Sequence, residues 1–341
     1  MKKTILLLLF LLSAFFFVNA QEKNDKLYGV GFYNLENLFD TIHNDGKNDY
    51  EFLPEGKFRW GTLKYINKVK NIAQVLNDMG ADVLSSGMAV VGVSEVENGA
   101  VLNDLVKNET LASRGWQYIH IEGPDKRGID CALLYNPKLF KPIDSKLIPY
   151  TTESNANSST RGFLVVSGKM AEETVHIIVN HWPSRFSKSP VREQAGVLVR
   201  QLKDSLLMAV PESKVIIMGD MNDNPNDKSV NISLGAVGEK KAAKRANDLY
   251  NPWWNIWNKD TLGTLKYRGK WMLFDQIILS GNMVAKKRSK LNFYKAEVFS
   301  RNYLFQQDGR YKGEVKRTHA GGMWLDGYSD HLPVIVYLIS E

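Results

Sequence analysis

The residues best suited to chemistry stand at the end of a short apolar run. Lys214–Met218 has the length and β-branched content of a buried strand, and it breaks off into Gly219, Asp220, Met221, Asn222 and Asp223. Gly219 lets the backbone turn where a side chain would obstruct it. Asp220 and Asn222 are two positions apart, so strand alternation aims both to one side of the strand mouth. A carboxylate and an amide on one rim can activate a water and hold a phosphate or a metal-bound oxygen. The same residues also make an ordinary turn, so the weight falls on what the other strands deliver.

They deliver more of the same. The strand Lys26–Tyr33 runs into Asn34, Glu36 and Asn37. The apolar stretch Val83–Val93, in which Ser85-Ser86-Gly87-Met88 is expected to bulge, ends in Glu95 and Glu97. Thr174–Val179 ends in Asn180 and His181, followed by Arg185, and Phe274–Leu279 carries Asp275 near its start. Asp330 and His331 precede the terminal strand Val334–Ile339. Ligand sites in α/β architectures gather at strand ends.

Glu95, Asp330 and Asn34 are hard oxygen donors that suit Mg²⁺ or Mn²⁺. A single cysteine and scattered histidines offer no tetrahedral zinc set. His181 and His331 add proton transfer near neutral pH. Asp275 lies in an apolar run where an unpaired charge is costly, and His331 is its candidate partner. The set fits metal-assisted attack of water on a phosphoester. Arg185 is a candidate to clamp a phosphate through two parallel hydrogen bonds, and Arg127, close to Asp130, is another. The acidic insert His43–Glu51 reads as a solvated loop, although its acids could take Ca²⁺.

These residues need a scaffold of strands and helices. Gly61–Met79 reads as a helix from Leu63, Ile66, Val69, Ile72, Ala73, Leu76 and Met79, with Gly80 as its C-cap. Pro190–Met208 reads as another, with Val191, Ala195, Leu198, Leu202 and Leu206 on one face. Ala100–Leu111 is a short helix. Trp116–Ile121, Cys131–Tyr135 and Gly162–Ser167 are strands. Thr151–Thr160, Asn224–Lys270 and Asn302–Met323 read as irregular. Trp253, Trp254 and Trp257 are assigned to packing, and Ala285–Lys290 to a basic turn.

The chain has 341 residues, 44% hydrophobic and 24% charged, which is ordinary globular composition. Cys131 is the one cysteine, so no disulfide forms within the chain. Lys2 and Lys3 precede an apolar run to Val18 that ends in Val18-Asn19-Ala20, the pattern of a secretory signal cleaved after Ala20. The expected mature protein is periplasmic or secreted, has no membrane anchor and is a monomer. It retains 42 basic against 37 acidic residues, a mild excess compatible with a polyanionic substrate.

From about Leu27 to Ile339 the chain resembles the endonuclease/exonuclease/phosphatase family, which includes deoxyribonuclease I. The likeness rests on Tyr33-Asn34-Leu35-Glu36, Val93-Ser94-Glu95-Val96, Asn180-His181, Gly219-Asp220-Met221-Asn222, Phe274-Asp275 and Ser329-Asp330-His331, in that order. It implies one α/β (α+β) domain after residue 20, a four-layer sandwich of two mixed β-sheets flanked by helices. It implies that Glu95 is the principal metal ligand, helped by Asn34 and Asp330. It implies that Asp220 aligns or deprotonates water, Asn222 binds a phosphate oxygen, and His331, oriented by Asp275, donates a proton. His181 matches the second histidine of the deoxyribonuclease I-like branch. The implied activity is a divalent-metal-dependent phosphodiesterase, first an endonuclease on DNA or RNA. A lipid or inositol phosphohydrolase is the alternative, and an inactive glycan-binding protein using the tryptophans is a third reading.

Overall fold

In this computed structural model the described residues are 26–151, 159–259, 262–284 and 290–340. The leader, most of the Thr151–Thr160 stretch and most of the basic turn fall outside them.

The chain opens with β1 (Lys26–Leu38), α1 (Thr62–Asp78), β2 (Met88–Val96), α2 (Gly99–Lys107), α3 (Glu109–Ala112), β3 (Gln117–His120) and β4 (Asp130–Tyr135). The middle third holds β5 (Phe140–Thr151), β6 (Ser159–Met170), β7 (Glu173–His181), α4 (Ser189–Ala209) and β8 (Lys214–Asp220). Short elements follow: β9 (Ala236–Val237), β10 (Leu249–Tyr250), α5 (Trp253–Trp257), β11 (Leu265–Tyr267) and β12 (Lys270–Met272). The last are β13 (Asp275–Ser280), β14 (Asn292–Val298), β15 (His319–Ala320), β16 (Met323–Trp324) and β17 (Val334–Ser340).

Two mixed sheets form, one of six strands in the order β14-β17-β1-β2-β4-β3 and one of seven in the order β5-β6-β7-β8-β13-β10-β9. The run Val215–Met218 shows why they stack. Ile216 and Met218 join the core between the sheets with Val30, Phe32, Val90, Val179 and Val336. Val215 and Ile217 point the other way, into a core with Ala195, Val199 and Leu207 of α4. A strand covered on both faces has no polar alternation, hence the unbroken apolar run. Val91, Val93 and Leu134 on the outer face of the first sheet likewise pack on Val69, Ile72 and Leu76 of α1. The order of layers is helix, sheet, sheet, helix. The sheets approach closely at Gly92, where a Cβ would come within 2.4 Å of Met218 Sδ.

Several local expectations are corrected. Leu63 and Ile66 of α1 are exposed, and burial along the helix begins only at Lys68. In α4 the buried side chains include Arg192, Val199, Lys203 and Leu207, so the covered stripe is broader than the apolar one. Helix Ala100–Leu111 breaks at Asn108, whose side chain accepts from Thr110 N and starts α3. Ser85 and Ser86 lie in a turn before β2, and register shifts fall at two places, between Met88 and Val90 where β2 pairs with β1, and between Ser94 and Val96. Asn302–Met323, read as a loop, holds β15 and the start of β16. Trp253 is fully buried and donates its indole N–H to the Ile277 carbonyl at 3.0 Å, as its assignment to packing requires. Among the described residues no helix is long and apolar enough to cross a membrane.

Candidate active site

Strand direction gathers the chemistry at one edge of the sandwich. β1 and β2 are parallel, as are β7 and β8, so both pairs end at the same rim, with Asn34 beside Ser94 and His181 beside Asp220. β13 runs antiparallel to β8, which sets Asp275 opposite Asp220. β17 is antiparallel to β1, so Asp330 and His331 arrive at that rim just before the strand begins. Gly219 is required here by close approach, since a Cβ would lie 2.3 Å from the Asn180 carbonyl oxygen.

The strands end irregularly. Pairing of β1 with β2 shifts register between Asn34 and Leu38. Glu36, Asn37, Glu95 and Asn222 have φ of 48°, 57°, 61° and 50°. Left-handed backbone at non-glycine residues costs on the order of 1 kcal/mol or more each, and gathers where function fixes it. At Glu95 the bulge takes the side chain out of strand alternation. The carboxylate accepts from Asn37 N at 3.0 Å and from Asn34 Nδ2 at 3.3 Å.

Asn34 joins the two sheets. Its Nδ2 also donates to Asp220 Oδ2 at 3.1 Å, while its Oδ1 accepts from Glu36 N at 3.0 Å. That last bond fixes the amide with nitrogen toward the carboxylates. Asn34, expected as a metal ligand, therefore serves in this arrangement as the donor that holds Glu95 and Asp220 in place. Asp220 Oδ1 accepts from Asn222 N at 2.9 Å, and Asn222 Nδ2 donates to the Trp182 carbonyl. β8 has ended by then, so this turn, and not strand alternation, sets the pair on one side.

The histidines flank Asp220. His181 Nε2 lies 3.6 Å from Asp220 Oδ2 and 3.8 Å from Glu95 Oε1. His331 Nε2 lies 3.9 Å from Asp220 Oδ2, and its Nδ1 is 2.7 Å from Asp275 Oδ2. Burial, reinforced by the Arg161 and Arg127 guanidinium groups, holds the His181 pKa well below that of free imidazole, so it is neutral. Burial alone would do the same to His331, but Asp275, Asp220 and Asp330 outweigh it and keep the imidazolium. Burial, helped by Asp275 and Glu95 and opposed by His331, pushes Asp220 up to about 7. One rim thus offers a base poised near neutrality, a cationic acid and a neutral imidazole.

These groups face an open cavity of about 660 Å³, lined among others by Glu95, Arg127, Arg161, His181, Asp220, Asn222, Asp330 and His331. Arg127 lies at this cavity with its side chain about half exposed. Arg185 does not line it. Its guanidinium pairs with Asp227 at 2.6 Å and Asp223 at 3.3 Å, and stacks over Phe274. That charge is already paired in this arrangement, so Arg185, expected to clamp a phosphate, stands outside the cavity lining. Asp130, near Arg127 in sequence, pairs with His120 at 2.9 Å and is structural.

The sequence reading missed several residues. Arg161 is buried in the cavity wall, 3.3 Å from Asp125, with its Nε unpartnered. Phe186 is fully exposed at the cavity. Arg317 hydrogen-bonds Asp330 and sits 3.5 Å from Glu36. Lys68, buried on α1, donates to Thr318 Oγ1 at 2.7 Å and to the Tyr328 carbonyl at 2.6 Å. Burial, then Asp330, raises Glu36 to about 7, against the pull of Lys68 and Arg317. Asp49 of the acidic insert is buried and accepts from Asn44 N at 2.7 Å, beside His43.

Donor chemistry decides where a divalent cation fits. Among the described residues Asp220, Asp275 and His331 form a tight group, with ligand atoms within 4.8 Å of one another. Coordination needs neutral imidazole, whereas His331 carries a proton and its Nδ1 is engaged by Asp275. Glu95 and Asp330 are further hard carboxylate donors on the cavity wall that could hold a cation, Asp330 being paired with Arg317 in this arrangement.

A buried acid–imidazole rim on a four-layer scaffold is the equipment of a phosphoester hydrolase. Residues 29–340 match the model of the Endonuclease/Exonuclease/phosphatase family, and the chain belongs to that family. No curated protein sequence matches it significantly. Solved structures with similar folds include D. rerio TDP2 complexed with single-strand DNA product, at 14% identity and TM-score 0.56 over 92% of this chain and 98% of that one. An endonuclease/exonuclease/phosphatase family protein from Bacteroides thetaiotaomicron is 15% identical, with TM-score 0.56 over 93% and 99% of the two chains. A mannosyl-6-phosphatase of the same organism is 15% identical, with TM-score 0.55 over 91% and 99%. At such identities the likeness is one of fold.

Proposed function

We propose that this protein is a divalent-metal-dependent phosphodiesterase that cuts nucleic acid internally and acts after export. The observation that carries the reading is Asp220, raised to about 7 and set within 4 Å of both His181 and His331 beneath an open, arginine-lined cavity. In this reading Asp220 takes a proton from the attacking water as its oxygen bonds to phosphorus. The bond to the leaving oxygen breaks, and the His331 imidazolium supplies the proton that this oxygen gains. His181 donates a hydrogen bond to a non-bridging oxygen, and Asn222 offers its second amide hydrogen to another. Asp275 keeps His331 oriented and charged. Arg127 and Arg161 balance the charge of the phosphate.

Glu95 and Asp330 would hold the cation, with Asn34 fixing Glu95. Hard oxygen donors favour Mg²⁺ or Mn²⁺. When bound, such an ion withdraws charge from phosphate oxygens.

A nucleic-acid substrate is supported by the basic cavity wall, by the mild basic excess of the chain, and by the DNA-bound TDP2 of similar fold. A sugar phosphomonoester is the second reading, favoured by the mannosyl-6-phosphatase of equally similar fold; fold alone does not choose between them. The test is nicking of supercoiled plasmid by the mature protein with Mg²⁺, with and without EDTA and with Glu95→Ala. Nicking that needs both the metal and Glu95 supports the first reading. Release of phosphate from mannose 6-phosphate without nicking supports the second. N-terminal sequencing of the exported protein, expected to begin at Gln21, checks the leader.

A further inference from the structure

A second groove opens beside the catalytic cavity, about 310 Å³ in volume, between the β11–β12 hairpin and the segment 310–317. Asp330 lines both spaces, so a ligand crossing Asp330 passes from one to the other. The hairpin turns tightly through Arg268 at φ 49° and Gly269 at φ 78°, the left-handed pair of a two-residue turn. Lys266 ties the hairpin to the opposite wall by bonding Glu314 at 3.2 Å and the Gly313 carbonyl at 3.3 Å. Arg317, also in the lining, pairs with Asp330 and with Glu36 at 3.5 Å, but two further cations of the rim are not compensated in this way. Among the described residues neither Arg268 nor Arg310 has a carboxylate within ion-pairing distance, and each guanidinium lies over a neighbouring tyrosine, Tyr267 at 5.3 Å and Tyr311 at 5.7 Å. Tyr267 is itself exposed.

Uncompensated cations interleaved with accessible rings are the chemistry that tracks a phosphate backbone and stacks on bases. Resting on the nucleic-acid reading above, we infer that this groove binds a flanking phosphate and base of the same strand whose scissile phosphate lies over Asp220. It is a strand-binding subsite separate from the residues that do the chemistry. A substrate with a single phosphoester, such as bis-p-nitrophenyl phosphate, is too short to use it.

The test is the double variant Arg268→Ser/Arg310→Ser, assayed on bis-p-nitrophenyl phosphate and on labelled single-stranded DNA or RNA of about 15 nucleotides. Both arginines are exposed, so the fold should be kept, and a thermal melt checks this. The expected result is an unchanged rate on the small ester, a rise in KM for the oligonucleotide of about tenfold or more with kcat within about twofold, and a salt dependence of log(kcat/KM) shallower by about 1–2. Equal losses on both substrates would overturn the inference, as would unchanged oligonucleotide kinetics. A wild-type protein that hydrolyses the small ester but neither binds nor cuts oligonucleotides would overturn it too, leaving the phosphodiesterase reading intact. If the wild type is inactive on everything, that reading fails, and fluorescence anisotropy of oligonucleotide binding still judges the groove: weaker binding by the variant supports it, equal binding overturns it.

Discussion

The imidazole Nδ1 of His331 stands 2.7 Å from Oδ2 of Asp275, a carboxylate with no solvent exposure. The pairing is made by sheet topology, because Asp275 opens β13 and His331 arrives just ahead of β17. It fixes the ring so that Nε2 faces Asp220 at 3.9 Å. Asp275→Asn keeps the shape and removes the charge. The His331 pKa should then fall, read by NMR titration of its ring protons, and kcat should drop about 10²–10⁴-fold. A normal rate with a lowered His331 pKa would remove the imidazolium from the mechanism.

The pH profile follows from the same cluster. A base must be deprotonated, so activity should rise with pH as Asp220 titrates near 7. The acid must be protonated, so activity should fall once pH exceeds the raised pKa of His331. The expected curve of log(kcat/KM) is a bell whose acidic limb disappears in Asp220→Asn. An acidic limb that persists unchanged in that variant would assign the base elsewhere.

Stability should show the reverse sign for Asp220. Its folded pKa lies above its unfolded one, so its proton stabilises the fold fully below the unfolded value of 3.8, and the contribution is lost as pH rises through about 7. Asp220→Asn carries no such charge. Its melting temperature should therefore gain on that of the wild type between about pH 5 and about pH 8. A constant difference across that range contradicts the burial argument.

How much of this was legible in sequence depended on whether a signal was local. Glu95, His181, Asp220 and Asp275 each end or begin an apolar run, and a polar residue at that boundary is visible in one dimension. Their convergence needed strand direction as well, which family resemblance supplied. Arg317, Lys68 and Arg161 left no local mark. Lys68 sits in a helix where lysine is ordinary, and its burial depends on Thr318 and Tyr328, some 250 residues away. Arg185 was misplaced for the complementary reason, since its partners Asp223 and Asp227 lie on another element. β5 and β14 were missed because they are edge strands. Asp144, Lys146 and Lys295 interrupt their apolar pattern, as charges on exposed edges do.

Lys68 provides a test of the buried network. It is 2% exposed and supports Glu36, which burial holds near 7. Lys68→Met leaves Thr318 Oγ1 and the Tyr328 carbonyl without their charged donor, at a cost of about 1–3 kcal/mol. Urea denaturation measures it. A loss below about 0.5 kcal/mol would indicate that the two bonds of Lys68 add nothing net to stability.

The contact between the sheets is testable at Gly92. A Cβ there meets Met218 Sδ at 2.4 Å and Val179 Cγ1 at 3.1 Å. Gly92→Ala should destabilise by about 1–3 kcal/mol through overpacking. Its effect should be smaller in a Met218→Ala background, where the space exists. Additive losses would mean that the sheets do not meet at that point.

Asp220 and His331 are assigned joint work on the phosphodiester, one as base and the other as acid. The most direct test is steady-state hydrolysis of bis-p-nitrophenyl phosphate in Mg²⁺ by the wild type, Asp220→Asn and His331→Ala, with folding checked by circular dichroism. Each single variant should lose about two to four decades in rate with the fold retained, and the double variant should be much less impaired than the product of the two, because the pair acts as a unit. Wild-type rates in either folded single variant would contradict that assignment.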